Sequence, residues 1–434
     1  MILRISTLAL VLTALAGALG VYRLIDGDSS SGDPLASASR RSTAAAQIQV
    51  LEQLVRDQPG DADALTRLAS MYVQRARETG DPSFYGLADA AVTKATAAAP
   101  DDVQVLVVAG TVALAKHDFE AALALGERAR SLNPDVVAAY GVITDALIEL
   151  GQYEEAAATA QDMIDRRPDF ASYSRASYLR ELHGDLTGAI AAMEQAAAGA
   201  PSDFDEAWAL VIIGNLELQR SDLEAVRRAY ERAEQALPGE AMVQAALARV
   251  AIAEGDVQSA ETLFRDAVGQ RPLPEYAIAL GELLESQGRT SEAEEQYALV
   301  RATQQLLAAS GVDTDIELAL FDADHGGDPE AAYQAALAAY ARRPSIFSAD
   351  TVAWAAFKSG RIDEARRYSQ ESLRVGTNDA RLLYHAGMIA HAAGDTQGAR
   401  AYLEQAVAME PAQSLLYANT ARETLADLTA AVVH

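Results

Sequence analysis

The chain of 434 residues contains no cysteine. That excludes disulfides, thiolate metal sites and lipid attachment through an N-terminal cysteine. Lysine is almost missing, with only Lys94, Lys116 and Lys358, so arginine carries the positive charge. The formal net charge is −27. Nonspecific nucleic-acid binding needs Lys and Arg to neutralise phosphates, and adhesion to anionic lipid needs the same. The acidic balance argues against both as general modes, and a neutral or basic partner is compatible. Aromatics are only 6% of the residues, so a place where several gather stands out.

Catalytic constellations are also missing. No strand pattern precedes a glycine-rich phosphate loop. The six histidines are His117, His183, His325, His385, His391 and His434. The first three fall in or near turns between helices and are expected to be solvated. His385 and His391 are six apart, so they do not stack on one helical face as metal ligands at i and i+4 would. The run Asp322–Asp328 has a calcium-loop look, but Tyr333 stands where the acidic twelfth residue belongs. It reads as a turn with Gly327 as the cap. The expectation is no enzyme, no cofactor and no metal.

One long apolar run exists. Arg4 precedes an uncharged stretch from Ile5 to Tyr22. As a helix it would span about 27 Å, just enough for a bilayer core. Ala14–Ala16 and Ala16–Ala18 are candidate signal-peptidase sites, but both lie inside the run. Residues 1–24 therefore read as a signal anchor or signal peptide, with the uncleaved anchor favoured. Residues 25–42, rich in Ser, Gly and Asp, read as a flexible tether.

The rest of the chain repeats itself. Pro100, Pro134 and Pro168 are 34 residues apart, and Pro238 and Pro272 repeat that interval. Pro201 falls one short, and Pro59, Pro344 and Pro411 continue with longer gaps. Between them a skeleton recurs. In the unit ending at Pro168, Tyr140, Ile143, Thr144 and Leu147 form one helical stripe. Gly151 then closes that helix, Tyr153 and Ala156 open the next, and Ala160 and Met163 follow. Gly255, Ala260, Phe264, Ala267 and Pro272 fill the same slots in another unit. Ala386, Gly387, Gly394, Ala399, Ala406 and Pro411 fill them in the last.

This skeleton closely resembles the tetratricopeptide consensus. The resemblance covers residues 43–431, with recurring phrases similar to those of uncharacterised bacterial repeat proteins. It implies an all-α, right-handed superhelical solenoid of about ten helix–turn–helix units. Residues 43–58 would cap its start, and 412–431 would form a C-terminal cap helix. The N-terminal hydrophobic helix would precede it. The implied function is a non-enzymatic protein-interaction scaffold of the bacterial cell envelope. It would face the periplasm or exterior, or be secreted if cleaved. A second expectation is a permanent subunit of an envelope assembly, or a self-assembling array.

In this family helix A of each unit lines the concave groove. The resemblance places Val107, Thr111 and Leu114, or Ala245, Arg249 and Ile252, on the middle units, a bland set. The last units would present Glu317, Phe321 and Asp324, then Asp350, Trp354 and Phe357, then Arg381, Tyr384, Met388 and His391, aromatics with charged groups around them; Phe321, Asp350, Trp354, Phe357, Arg381, Tyr384 and Met388 are singled out. These are the candidate partner-binding residues, because aromatics supply large contact area with few rotors to freeze. Asn215 and Arg249 occupy two positions of the carboxylate clamp known in chaperone-binding relatives, too few to make that clamp.

Overall fold

The computed structural model describes residues 44–409 and 415–430. The expected N-terminal anchor and tether, and Pro411, lie outside the described residues. Among the described residues there are helices and no strand, and no helix is long and apolar enough to cross a membrane.

A first helix, α1 (Ala44–Asp57), precedes ten antiparallel pairs. These are α2 (Ala62–Thr79) with α3 (Ser83–Ala98), α4 (Val103–Ala115) with α5 (Phe119–Leu132), and α6 (Val137–Glu149) with α7 (Tyr153–Arg166). Next come α8 (Phe170–Leu182) with α9 (Leu186–Ala198), α10 (Asp203–Gln219) with α11 (Leu223–Ala236), and α12 (Ala241–Ala253) with α13 (Val257–Gln270). Then follow α14 (Pro274–Ser286) with α15 (Thr290–Ala309), and α16 (Asp315–Asp324) with α17 (Pro329–Arg342). The series ends with α18 (Ile346–Lys358) and α19 (Ile362–Ser372), α20 (Ala380–Ala392) and α21 (Thr396–Ala408), and a last helix α22 (Leu415–Ala430).

A two-residue turn builds most pairs. The first residue takes the left-handed conformation, as at Gly151, Gly184, Gly255, Gly288, Gly360 and Gly394. The second is often Asp, and its carboxylate caps helix B. Asp118, Asp185, Asp222, Asp256 and Asp395 each accept a backbone N–H three residues on. In the turn after α16 the left-handed residue is Gly326 (φ 81°), not Gly327 as expected. The small residue of helix B is buried throughout, as at Ala122, Ala156, Ala260, Ala293 and Ala399. Val226 is tolerated in that slot and is equally buried.

The described chain divides into two compact units. The N-terminal unit runs up to Arg175 and includes Gln305–Thr314; the C-terminal unit holds Ala176–Gln304 and Asp315 onward. Each unit closes on a distant segment of itself. In the N-terminal unit, Asp313 N–H donates to Lys116 O at 3.1 Å and His117 Nδ1 meets Asp313 O. His117 is thus half-buried and bonded, not simply solvated. In the C-terminal unit, Ser221 Oγ donates to Ala408 O at 2.6 Å. There Gly184 also lies so close to Gly376 that a Cβ would sit 2.6 Å from the Gly376 oxygen. His117 (φ 62°) and Ser221 (φ 60°) are the non-glycine residues with left-handed backbones among those described. That conformation costs roughly 1–2 kcal/mol for an L-residue. Both side chains make the closing contacts, which offset it.

Candidate functional site

Unusual chemistry gathers on the A helices of the C-terminal unit. Gly281 on α14 starts it: a Cβ there would meet the Tyr297 ring at 2.5 Å. Its absence lets Tyr297 drop inward, donate to Glu285 Oε2 at 2.8 Å, and lie against His325, with ring centroids 4.3 Å apart. Phe321 packs edge-on to the same tyrosine. His325 is buried, contrary to the expectation of a solvated turn residue, because Tyr297 and Phe321 enclose it. Burial pushes its imidazole down to about 4. It is therefore neutral at pH 7, and its 3.5 Å approach to Glu282 is not an ion pair.

Asp324, at the end of α16, joins three helices. One carboxylate oxygen accepts Trp354 Nε1–H of α18 at 2.7 Å; the other accepts the hydroxyl of Tyr417 on α22. Trp354 stacks on His385 of α20, 4.0 Å apart and 10° from parallel. His385 Nδ1 donates to Asp350 at 2.9 Å, and Arg381 Nε lies 3.3 Å from the same carboxylate. Tyr384 stacks on Tyr417 at 4.4 Å and shares a side-chain hydrogen bond with Thr420. Burial raises the phenols of Tyr384 and Tyr417, and the charge of Asp324 adds to it, so both hydroxyls keep their protons, and that of Tyr417 donates to Asp324.

The last helix thus does more than extend the stack. α22 touches α20 and α21, its neighbours in sequence, and also α14, three pairs back. Through Tyr417 it reaches Asp324 on α16 and Trp354 on α18. Apart from α21, the helices it reaches, α14, α16, α18 and α20, are the A helices of four consecutive pairs, so α22 crosses that face. Tyr417, Ala421 and Leu428, with half-buried Leu425, make its contact stripe at i, i+4, i+8 and i+11.

The inner positions further back are closed internally. Asn215 Oδ1 accepts both Tyr230 O–H at 2.7 Å and Arg249 Nη1–H at 2.9 Å. The two clamp-like residues hold each other instead of a ligand carboxylate. In the N-terminal unit, Asp145 on α6 takes two bonds from Arg175, at 2.8 and 2.6 Å, with both side chains buried. Burial pushes Asp145 up to about 7 while Arg175 pulls it back. Among the described residues no group of His, Asp and Glu is placed to hold a metal ion.

Two profiles described as tetratricopeptide repeat match the sequence, one over residues 113–178 and the other over 213–273, 245–306 and 353–414. Together they cover about half the chain. It is a tetratricopeptide-repeat protein. Solved structures similar to it include a tetratricopeptide repeat protein from Parabacteroides merdae. That protein is 12% identical, with TM-score 0.41, over 56% of this chain and 98% of the other. The human IFIT1 dimer with PPP-AAAA is similar at 15% identity and TM-score 0.46, over 73% and 72% of the two chains. The APC/C hetero-tetramer Cut9-Hcn1 is similar at 13% identity and TM-score 0.36, over 86% and 92%. No curated protein matches the sequence. Tetratricopeptide repeats generally mediate protein–protein interaction on extended surfaces, and the fold is typically non-enzymatic.

Within this tetratricopeptide-repeat protein the seven residues expected to meet a partner all fall in the C-terminal unit. Phe321, Asp350, Trp354, Arg381 and Tyr384 are buried, while Phe357 and Met388 are half-buried. Two packings account for this: the rings wedge between neighbouring A helices, and Tyr417 covers Trp354 and Tyr384. Sequence reasoning put Asp324 on the groove-lining face but missed its bonds to Trp354 and Tyr417, and it missed His325 as a buried ring and α22 as the cover. The stripe Tyr417, Ala421, Leu425, Leu428 was the available signal for the last.

Proposed function

We propose that the protein is an interaction scaffold that captures a helical segment of a partner on the A-helix face of α14 to α20. The observation that carries this is α22 itself, a helix already seated there by an aromatic-and-carboxylate set. Phe357 on α18 and Met388 on α20 are half-buried and would be a partner's first contacts. We further propose that the scaffold works in a bacterial cell envelope, held by residues 1–24 as an anchor with 25–42 as tether. The uncharged run from Ile5 to Tyr22 supports that placement.

The test is affinity purification of the full chain from gently solubilised native membranes, beside a Phe357→Asp/Met388→Asp variant. A stoichiometric protein that is lost with the double variant supports the reading. A partner retained by the variant moves the surface elsewhere. A chain recovered from the soluble fraction, with its N-terminus intact, removes the membrane placement.

A further inference from the structure

We propose that α22 is a displaceable occupant of the capture face, which keeps the scaffold closed until a partner helix of the same pattern replaces it. This rests on the helix-capture reading above. The pattern is Tyr at the first position, a small residue at i+4, and Leu at i+8 and i+11.

Three observations point the same way. The attachment is thin. Of the described side chains on α22, Tyr417, Ala418, Ala421 and Leu428 are buried, whereas α18 buries nearly its whole length from Ile346 to Ala356. The seat is specific nonetheless, because Asp324 holds the Tyr417 hydroxyl and Thr420 holds that of Tyr384. The seat is also incomplete without a helix. Removing α22 would strip Asp324 of one donor and uncover the Tyr384 ring, so the face is built for an occupant with a tyrosine at that point. Ala421, wholly buried, sets the closest approach. A large residue there would not fit.

A tethered helix competes at an effective concentration of about millimolar, so the closed chain should take up free helices poorly. The probe is a fluorescent peptide spanning residues 415–430, titrated into the full-length protein and into full-length Ala421→Arg. We expect Ala421→Arg, which ejects its own helix, to bind the peptide at least tenfold tighter than the unmodified chain. A peptide carrying Tyr417→Phe should bind the released face about tenfold more weakly, as loss of a bond to a carboxylate predicts. As a check independent of that variant, excess peptide added to the unmodified chain should speed hydrogen exchange in its own residues 415–430 and nowhere else.

Equal binding by the two chains, with exchange unchanged by peptide, overturns the proposal. So does a stable dimer of the unmodified chain by light scattering in which α22 is exchanged between copies, since the occupant would then be a second copy. If Ala421→Arg takes no peptide yet still purifies with the envelope partner, the displaceable helix is wrong and the scaffold reading stands. If peptide binds but no partner is recovered from membranes, the reverse holds.

Discussion

Two buried carboxylates, one in each unit, show how differently an array can use the same residue type. Asp145 is saturated by the two-pronged grip of Arg175, whose remaining nitrogen donates to Ala171 O at 2.9 Å. Both carboxylate oxygens are thus bonded within the pair. Asp350 instead shares itself between His385 and Arg381, and His385 carries a stacked tryptophan whose N–H runs on to Asp324. That chain of contacts ends on a separate helix. A closed pair fixes the spacing of two neighbouring A helices. An open-ended network ties four helices together.

The largest expected effect breaks the closed pair. Arg175→Met should cost about 3–5 kcal/mol, because it strands a buried carboxylate. Adding Asp145→Leu should restore stability or raise it, and denaturant melts of the single and double variants check both. Peptide uptake at the other unit should not change.

Acid should separate the units by sign. His325 is held neutral down to about pH 4 in the fold, while an unfolded histidine takes its proton near 6.5. Between those values the unfolded chain binds more protons, so stability falls as pH falls. From pH 7 to 5 the C-terminal unit should lose about 2 kcal/mol. Asp145 acts oppositely. Its folded carboxyl protonates near 7 and its unfolded one near 3.8, so acidification across that window favours the fold of the N-terminal unit. Segment-resolved hydrogen exchange at pH 7 and 5 reads both slopes, and His325→Gln should flatten the first.

Smaller again is Tyr417→Phe, which should weaken the seat of α22 by about 1–2 kcal/mol. It should show in exchange of residues 415–430 and scarcely in the melting temperature. The smallest effects concern Ser221. Ser221→Ala keeps the left-handed strain and loses the bond to Ala408, a cost of about 1 kcal/mol. Ser221→Gly relieves the strain as it loses the bond, and its melting temperature should lie close to that of the unmodified chain.

The architecture was legible because it is written locally. Proline spacing, the glycine that closes helix A and the alanine that admits helix B each concern residues a few positions apart. The turn carried a further local sign that went unread, the capping Asp after the left-handed residue. The gathering of Phe321, Trp354 and Tyr384 in one unit was also legible. Their environment was not. Asp324 meets Tyr417 across 93 positions, and His117 meets Asp313 across 196. Helical period says which stripe a residue occupies and nothing about what returns to cover it. His325 was misplaced for that reason: it follows a helix end, but Tyr297 reaches it only because Gly281 leaves room.

The bond from Ser221 to Ala408 also has a consequence in time. A ribosome adds about 5–20 residues each second. With 187 positions between them, Ser221 waits roughly 10–40 s for its acceptor to be made. Throughout that interval the A-helix face has been synthesised in part and α22 does not yet exist. The nascent chain therefore passes through a stage in which the A-helix face is not yet covered by α22.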